Sequence, residues 1–484
     1  MKARRLLILT ATSLLAMTAC TKSGGGAAEG GYIKDPTEIV IWTTYNDTYQ
    51  AVLNNCIDEF KKMEPNVTVK NIKQNTDYGG LAKMVSDGFA VDNYPDMCAA
   101  YPDAANAFIL NFKALNMEPY MNDPEIGWSE EDLNDIPEAY IQLGQNYALP
   151  GTYSLPASKS TEAMYYNQDK LLNVDLSGID ATINNGQPLN DRYLQNLTWE
   201  ELFEKLVPAL DAYDTAEKNA GRAGLIDKTT YSDWAWVGYD SDDNLFITLA
   251  QQYGYGYTSI NQNTGAGSID FNNQGMKDLM KKFVGYQKQH YFTTKGVIDT
   301  NVNYRSTVDA MMFSIGSTGG VKYQFADSSK HNVGVALIPQ AAGKAKKVIS
   351  QGPDFAFLDH KNENRAKATW LFFKLFTSTK YNTAWALASG YSPVRYSVME
   401  TEDYMEYVDY ESKDEHTLDR LTAFNANYAA GVGDYAFTSA VFKGSDEART
   451  QVGTIFAQCA ASTNLDADID GIFQTAVDNT KLKM

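Results

Sequence analysis

Residues suited to bond chemistry are scattered in this sequence, whereas residues suited to holding a polyhydroxylated molecule are plentiful. Four histidines, His290, His331, His360 and His416, share no metal-ligand spacing. Ser317 lies in Gly316-Ser317-Thr318-Gly319, which is not the Gly-x-Ser-x-Gly elbow of a serine hydrolase. Asp466, Asp468, Asp470 and Gly471 imitate the start of a calcium loop, but its twelfth position is Val477 and the segment reads as helix. No metal or cofactor is therefore expected. Sixty acidic residues always allow some carboxylate pair, so a glycoside-active enzyme stays as a rival reading, beside a surface adhesin that needs no cleft. Aromatic and hydroxyl side chains suggest binding instead. A flat ring covers the C–H face of a sugar, while short hydroxyls and backbone N–H groups bond its hydroxyls. The candidates are Trp42, Tyr45, Tyr78, Trp234, Trp236 and Tyr391 for the rings and Ser160 and Ser317 for the hydroxyls. Trp234 and Trp236 are the best stacking platforms, with one of the two expected in a cleft; Trp42 suits a core as well. Arg395 has the planar fork that fits a phosphate or carboxylate, and equally an ion pair.

The elements that must position these groups alternate. Residues 38–42 form an apolar strand; Leu53, Cys56, Ile57, Phe60 and Met63 recur at helical spacing until Pro65; residues 67–72 and 94–99 read as further strands with a helix over 81–89 between them. This order implies a mostly parallel sheet flanked by helices, with ligands beyond the carboxyl ends of its strands. Residues 147–169 interrupt the pattern. Pro150, Gly151 and Pro156 break any helix, and residues 163–166 then read as a strand. A second region follows: a capping box at Thr198 and Glu201, helices over 245–253 and 276–289, a strand at 310–313 running into a Ser/Gly turn at 314–320, and a strand over 333–338. Residues 351–354 mark a second crossing. Residues 365–376, with Trp370, Phe372, Phe373 and Phe376, form a buried helix, and the tail from 399 is helical.

The N-terminus sets the compartment. Lys2, Arg4 and Arg5 precede an apolar run over 6–17 and then Thr18-Ala19-Cys20. That is a signal peptide with a lipobox-like end, so residues 1–19 are expected to be removed and Cys20 lipidated, with 20–35 as a glycine-rich tether. No later run is long and apolar enough to span a bilayer. The formal charge of −19 disfavours nucleic acid and direct adhesion to anionic lipid. Composition is globular, 44% hydrophobic and 21% charged, and the length suits two lobes rather than one core. Beyond Cys20 there are Cys56, Cys98 and Cys459, which read as buried small hydrophobes, with a Cys56–Cys98 disulfide as the alternative.

Six stretches, in order, resemble the extracellular solute-binding proteins of bacterial ABC importers, in the family 1 branch for sugars and glycerol phosphates. They are EIVIWTTYNDTYQAVLNNCIDEFKKMEPNVTVK; Tyr94-Pro95-Asp96; YALPG followed by STEAMYYNQDKL; LTWEEL; AMMFSIGSTGG followed by VGVALIP; and the block 351–395 ending in GYSPVR. The resemblance implies an α/β, two-lobe periplasmic-binding-protein-like fold, each lobe a mostly parallel sheet flanked by helices. The implied lobes are 36–150 plus 352–397 and 151–351 plus 398–484. It places Trp42, Tyr45, Tyr78, Ser160, Trp234, Trp236, Ser317, Gly352, Tyr391 and Arg395 around a hinged cleft. It implies a monomeric, lipid-anchored receptor that hands a sugar or polyol to the permease subunits, with glycerol 3-phosphate as the alternative solute. The first loop, TTYND, lacks any basic residue, and residues 181–196 look inserted, so the solute itself is left open.

Overall fold

The computed structural model describes residues 31–484 apart from 146, 148, 262–263, 303–305, 307, 324–331, 409–421 and 423–434. The expected signal peptide, Cys20 and most of the tether lie outside the described residues. The tether's last residues are not loose: the backbone N–H groups of Tyr32 and Ile33 donate to the Glu64 carboxylate, both at 2.9 Å, and Ile33 is buried.

In chain order the described strands are β1 (Thr37–Thr43), β2 (Val67–Lys73), β3 (Met97–Ala100), β4 (Ser154–Leu155), β5 (Glu162–Asn167), β6 (Val237–Tyr239), β7 (Thr258–Ile260), β8 (Gly267–Ile269), β9 (Phe292–Thr294), β10 (Phe313–Ser317), β11 (Val333–Leu337), β12 (Val348–Ile349), β13 (Asp354–Phe357) and β14 (Ala436–Phe437). Ten of them build two five-stranded sheets, ordered β2-β1-β3-β13-β4 and β11-β5-β10-β6-β9, and the other four form the pairs β12-β14 and β7-β8. In the first, β1 runs parallel to β2 and β3, and β13 is antiparallel to β3 and β4. In the second, β6 runs parallel to β9 and β10, and β5 is antiparallel to β10 and β11. Each sheet has its own apolar core flanked by helices.

Local sequence explains the elements. Helix Asp47–Met63 begins where the Asn46 side chain accepts from Tyr49 N at 3.1 Å, and it buries Leu53, Cys56 and Phe60 on one face. Helix Glu363–Phe376 is capped by Asn362 and buries Trp370, Phe372, Phe373 and Phe376 against the first sheet's side, with Trp370 Nε1 donating to Ile126 O at 3.1 Å. The expected box at Thr198 is half made: Thr198 Oγ1 accepts from Glu201 N, while the Glu201 carboxylate accepts from the Tyr193 hydroxyl instead. The three cysteines Cys56, Cys98 and Cys459 are buried and free, so the Cys56–Cys98 disulfide is not formed.

The first crossing between the sheets and the boundary in the tail lie at other places than expected. Strand β4 pairs with β13 in the first sheet, so the first crossing lies at 156–161 and not at Gly151, which packs against the Asn116 side chain within the first lobe. Lys159 pairs with Ser392 and Ser160 with Gln351, so three segments run side by side there. Helix Glu402–Val408 packs on helix Thr379–Ser389 of the first lobe, which moves the expected boundary at 397/398 further along the chain. Helices Ser445–Ala461 and Leu465–Lys481 then join the second core. Residues 314–317, expected as a turn, are strand, because β10 is clamped between β5 and β6.

Candidate functional site

A cavity of about 570 Å³ lies between the two lobes. The first lobe supplies Tyr101, Asp103 and Leu143; the second supplies Glu162, the turn 240–244, Tyr257, Ser317 and Arg449; the connecting segments supply Lys159, Gln351, Gly352 and Val441. Two hollows continue it. One of about 330 Å³ lies between Tyr78, Lys83 and Phe108 and shares Tyr101, Asp103 and Asp446. The other, about 420 Å³, shares Asp240, Asp243 and Arg449 and reaches Lys295.

Strand polarity explains the placement. Strands β3 and β6 both end at the cavity, so the residues after Ala100 and after Tyr239 meet across it. The turn after β6 is held firmly: Asp240 N donates to Ile315 O, Ser241 Oγ to Asp243 Oδ1, and Gly296 N to Asp242 Oδ2. Helix Asp242–Tyr253 starts there and brings Asn244 into the wall. The tail helix Ser445–Ala461 adds Arg449, whose Nε lies 2.5 Å from Asp243 Oδ2 and whose Nη2 donates to Asn244 Oδ1. Glu162, the first residue of β5, is 1% exposed and accepts from the Tyr239 hydroxyl and from Asn244 Nδ2. Across the mouth, Ser445 Oγ donates to Asp103 Oδ1 at 2.5 Å, one lobe to the other.

The cavity is electronegative. Asp103, Glu162, Asp240, Asp243 and Asp446 line it, against Lys159 and Arg449. Both cations already have partners: Lys159 forms an almost fully buried ion pair with Asp354, and Arg449 is held by Asp243. Burial pushes the Glu162 carboxyl up to about 7 despite its two hydrogen bonds, and raises Asp103 and Asp240 as well.

Of the residues singled out in the sequence, Ser317 and Gly352 line the cavity. Gly352 has φ +98, and a Cβ there would lie 3.4 Å from Ser160 N and from a Tyr391 ring carbon, so Ser160 and Tyr391 flank the same spot. Tyr78 lines the adjoining hollow, its ring 5.4 Å from that of Tyr101 at 86°. Trp42 and Tyr45 sit behind this wall in the first core; Tyr45 stacks edge-on against Trp385 at 4.9 Å. The expectation for Trp234 and Trp236 is corrected. Both precede β6, whose other end meets the cavity. Trp236 is fully buried with Nε1 donating to Asp211, and Trp234 stacks on His290 at 4.5 Å. Arg395 is corrected too: it is buried, donates to Thr377 O, and pairs with Asp132 and Asp135 at 3.0 Å each, which leaves it no anion to bind. Sequence reading missed Tyr101, Asp103, Glu162, Asp243, Asn244, Tyr257 and Arg449. The carboxyl end of β6, followed by Asp240-Ser241-Asp242-Asp243-Asn244, carried the signal for four of the cavity-lining residues.

Among the described residues, no group of His, Cys, Asp and Glu could hold a metal, and no helix is long and apolar enough to cross a membrane. No curated protein matches the chain. Solved structures share its fold. The crystal structure of UgpB from Mycobacterium tuberculosis in complex with glycerophosphocholine superposes with a TM-score of 0.66 at 15% identity, covering 92% of this chain and 98% of that one. The sugar-binding protein MalE from Xanthomonas citri gives 0.64 at 14% identity over 92% and 98%. The cyclic alpha-maltosyl-1,6-maltose binding protein from Arthrobacter globiformis gives 0.63 at 15% over 92% and 100%. A family model described as bacterial extracellular solute-binding protein matches residues 55–412, most of the chain, and with the two-lobed cleft this makes the chain a member of that family.

Proposed function

We propose that this protein captures a neutral carbohydrate or polyol in the interlobe cavity and delivers it to the membrane subunits of an ABC importer. The lining is the observation behind the choice of solute: aromatic rings from Tyr101 and Tyr257, amides and hydroxyls from Asn244, Gln351 and Ser317, and carboxylates in excess of cations that are already paired. Carboxylates accept hydrogen bonds from sugar hydroxyls and repel phosphate. The glycerol 3-phosphate alternative therefore has less support, since Arg395, its expected partner, is engaged in the first lobe. The relatives named above bind sugars or a glycerophosphodiester by their own descriptions, in keeping with a hydroxylated solute. The lipobox-like MTAC and the glycine-rich segment after it support attachment to the cell membrane through a lipid on Cys20. A cleft lined entirely by one chain is in keeping with a receptor that works as a monomer.

A thermal-shift screen of neutral sugars, acyclic polyols and glycerol phosphates tests the solute class. A neutral solute at 100 times its Kd is expected to add about 2.7 kcal/mol to the folded state. Stabilisation by phosphorylated compounds alone would reverse the assignment.

A further inference from the structure

The carboxyl group of Glu162 sits in the cavity wall, almost closed off from solvent, and the polar groups around it are tied to it. Its oxygens accept from the Tyr239 hydroxyl on one side and from Asn244 Nδ2, at 3.0 Å, on the other. An amide whose NH2 is taken in this way must point its oxygen the opposite way, and Asn244 Oδ1 accepts from Arg449 Nη2. Arg449 Nε meets Asp243 at 2.5 Å, and a third of the Arg449 side chain stays open to solvent. Three elements that are far apart in sequence, β5, the first turn of helix Asp242–Tyr253 and the tail helix Ser445–Ala461, are joined by this one relay.

We propose that Glu162 is the positioning residue of this site: acting through the Asn244 amide, it fixes the Arg449 guanidinium in the orientation that meets the solute's hydroxyls. The proposal rests on the cavity being the solute site. It assigns no solute contact to Glu162 itself, which is 1% exposed and has both oxygens engaged by Tyr239 and Asn244.

The relay depends on the charge of Glu162. An ionised carboxylate only accepts, and it satisfies both Tyr239 and Asn244. Once protonated on the oxygen that faces Tyr239, it donates to that hydroxyl instead, and Asn244 is left with a neutral acceptor in place of a carboxylate, so its charge-assisted hold on the amide weakens. The charged and titratable groups facing it are Tyr239 at the end of β6, Asp243 on helix Asp242–Tyr253 and Arg449 on the tail helix; β10 brings the uncharged Ser317 opposite it in register. Asp243 and burial oppose ionisation, while Arg449 and the two hydrogen bonds favour it, and the balance leaves the group titrating near neutrality. Solute affinity should then rise as the pH passes from 6 to 8.

The test compares wild type with E162Q, which mimics the protonated form in shape and charge. Affinities for the neutral sugars and polyols that stabilise the wild type are measured at pH 6, 7 and 8. The expected result is at least a tenfold loss for E162Q at pH 8, a loss that shrinks toward pH 6, and a flat pH profile in the variant. N244A should give the same loss with Glu162 intact, and the double variant should lose no more than either single one. A readout without solute runs in parallel. In protein labelled with 15N at arginine, the Arg449 Nε–H signal, assigned through R449K, should shift with pH near 7 in wild type and not in E162Q. Unchanged affinity and pH profile in E162Q, with the Arg449 signal also unmoved, would overturn the positioning role while leaving the cleft reading intact. If the signal behaves as expected but R449K binds as wild type does, the solute does not meet Arg449 and the proposal fails on that point. If no neutral sugar or polyol stabilises the wild type at any pH, the cleft reading falls and the proposal falls with it.

Discussion

The two walls of the cleft are made of different materials. The first lobe presents rings: Tyr101 and Tyr78 meet edge to face, and Tyr49, Tyr391, Tyr45 and Trp385 continue the packing behind them. The second lobe presents mainly a braced polar array, Glu162 with Asn244, Arg449 and Asp243, beside the single ring of Tyr257, as the first lobe adds the single carboxylate of Asp103 to its rings. The cause lies in what each sheet puts at its carboxyl edge. Strand β3 is followed by Tyr101 and a short helix, and β6 by five residues of which three are aspartate. On the proposed function, a solute held between such walls would stack on one and hydrogen-bond to the other. Each wall alone leaves part of a sugar unsatisfied, so both must be engaged, and only contact with both lobes favours a closed form.

The largest expected effect separates cleft aromatics from core aromatics. Trp236 belongs to the second lobe's core, not to its cleft wall. Trp236→Ala should lower the stability of that lobe by about 3–5 kcal/mol, the usual cost of emptying a buried aromatic site. Urea titration followed by circular dichroism measures this. Under native conditions the variant should bind solute within about twofold of wild type. Weak binding in a well-folded Trp236→Ala protein would return tryptophan to the cleft and erase the contrast between the walls.

The next effect is on the polar wall. Asp243→Asn removes the negative charge that holds Arg449 Nε and replaces one of the two oxygens that serve Arg449 and Ser241 with an NH2 donor. Hydrogen bonds to charged groups are worth about 1.5–3 kcal/mol, so affinity should fall by a factor of roughly ten to a hundred for any hydroxylated solute. Isothermal titration measures it. Equal affinity in the variant would mean that the polar wall only fills space.

Much of this organisation was legible in the sequence. The order strand, helix, strand over residues 38–100 gave the first sheet, and β5 was readable from Ala163-Met164-Tyr165-Tyr166, because local periodicity decides such elements. The crossings were less legible. Strand β4 is two residues long, and its pairing with β13, some two hundred residues on, is a tertiary fact without local signature. Arg395 and Trp236 show why residue type alone misplaces a site. Both carry the right groups, and both have them committed elsewhere, to Asp132 and Asp135 in one case and to Asp211 in the other. Arg449 gave no signal, since one arginine in a helical tail is ordinary until folding sets it beside Asp243 and Asn244.

The smallest effect tests the aromatic wall and tells cyclic from acyclic solutes. Tyr101 is 42% exposed, and it precedes helix Pro102–Leu110 without capping it through its side chain. Tyr101→Ala loses the edge-to-face contact with Tyr78 and should lower stability by only about 0.5–1.5 kcal/mol. Stacking contributes about 0.5–1.5 kcal/mol beyond area burial, so a pyranose should bind roughly two- to tenfold more weakly. An acyclic polyol has no flat C–H face to set against the ring, and its affinity should scarcely change. The ratio of the two losses is the quantity to measure, because an overall distortion of the cleft would weaken both alike. A large loss for the pyranose beside a small one for the polyol assigns stacking to the first lobe. Equal losses would show that Tyr101 shapes the cleft without stacking, and the division of labour between the walls would then rest on the polar side alone.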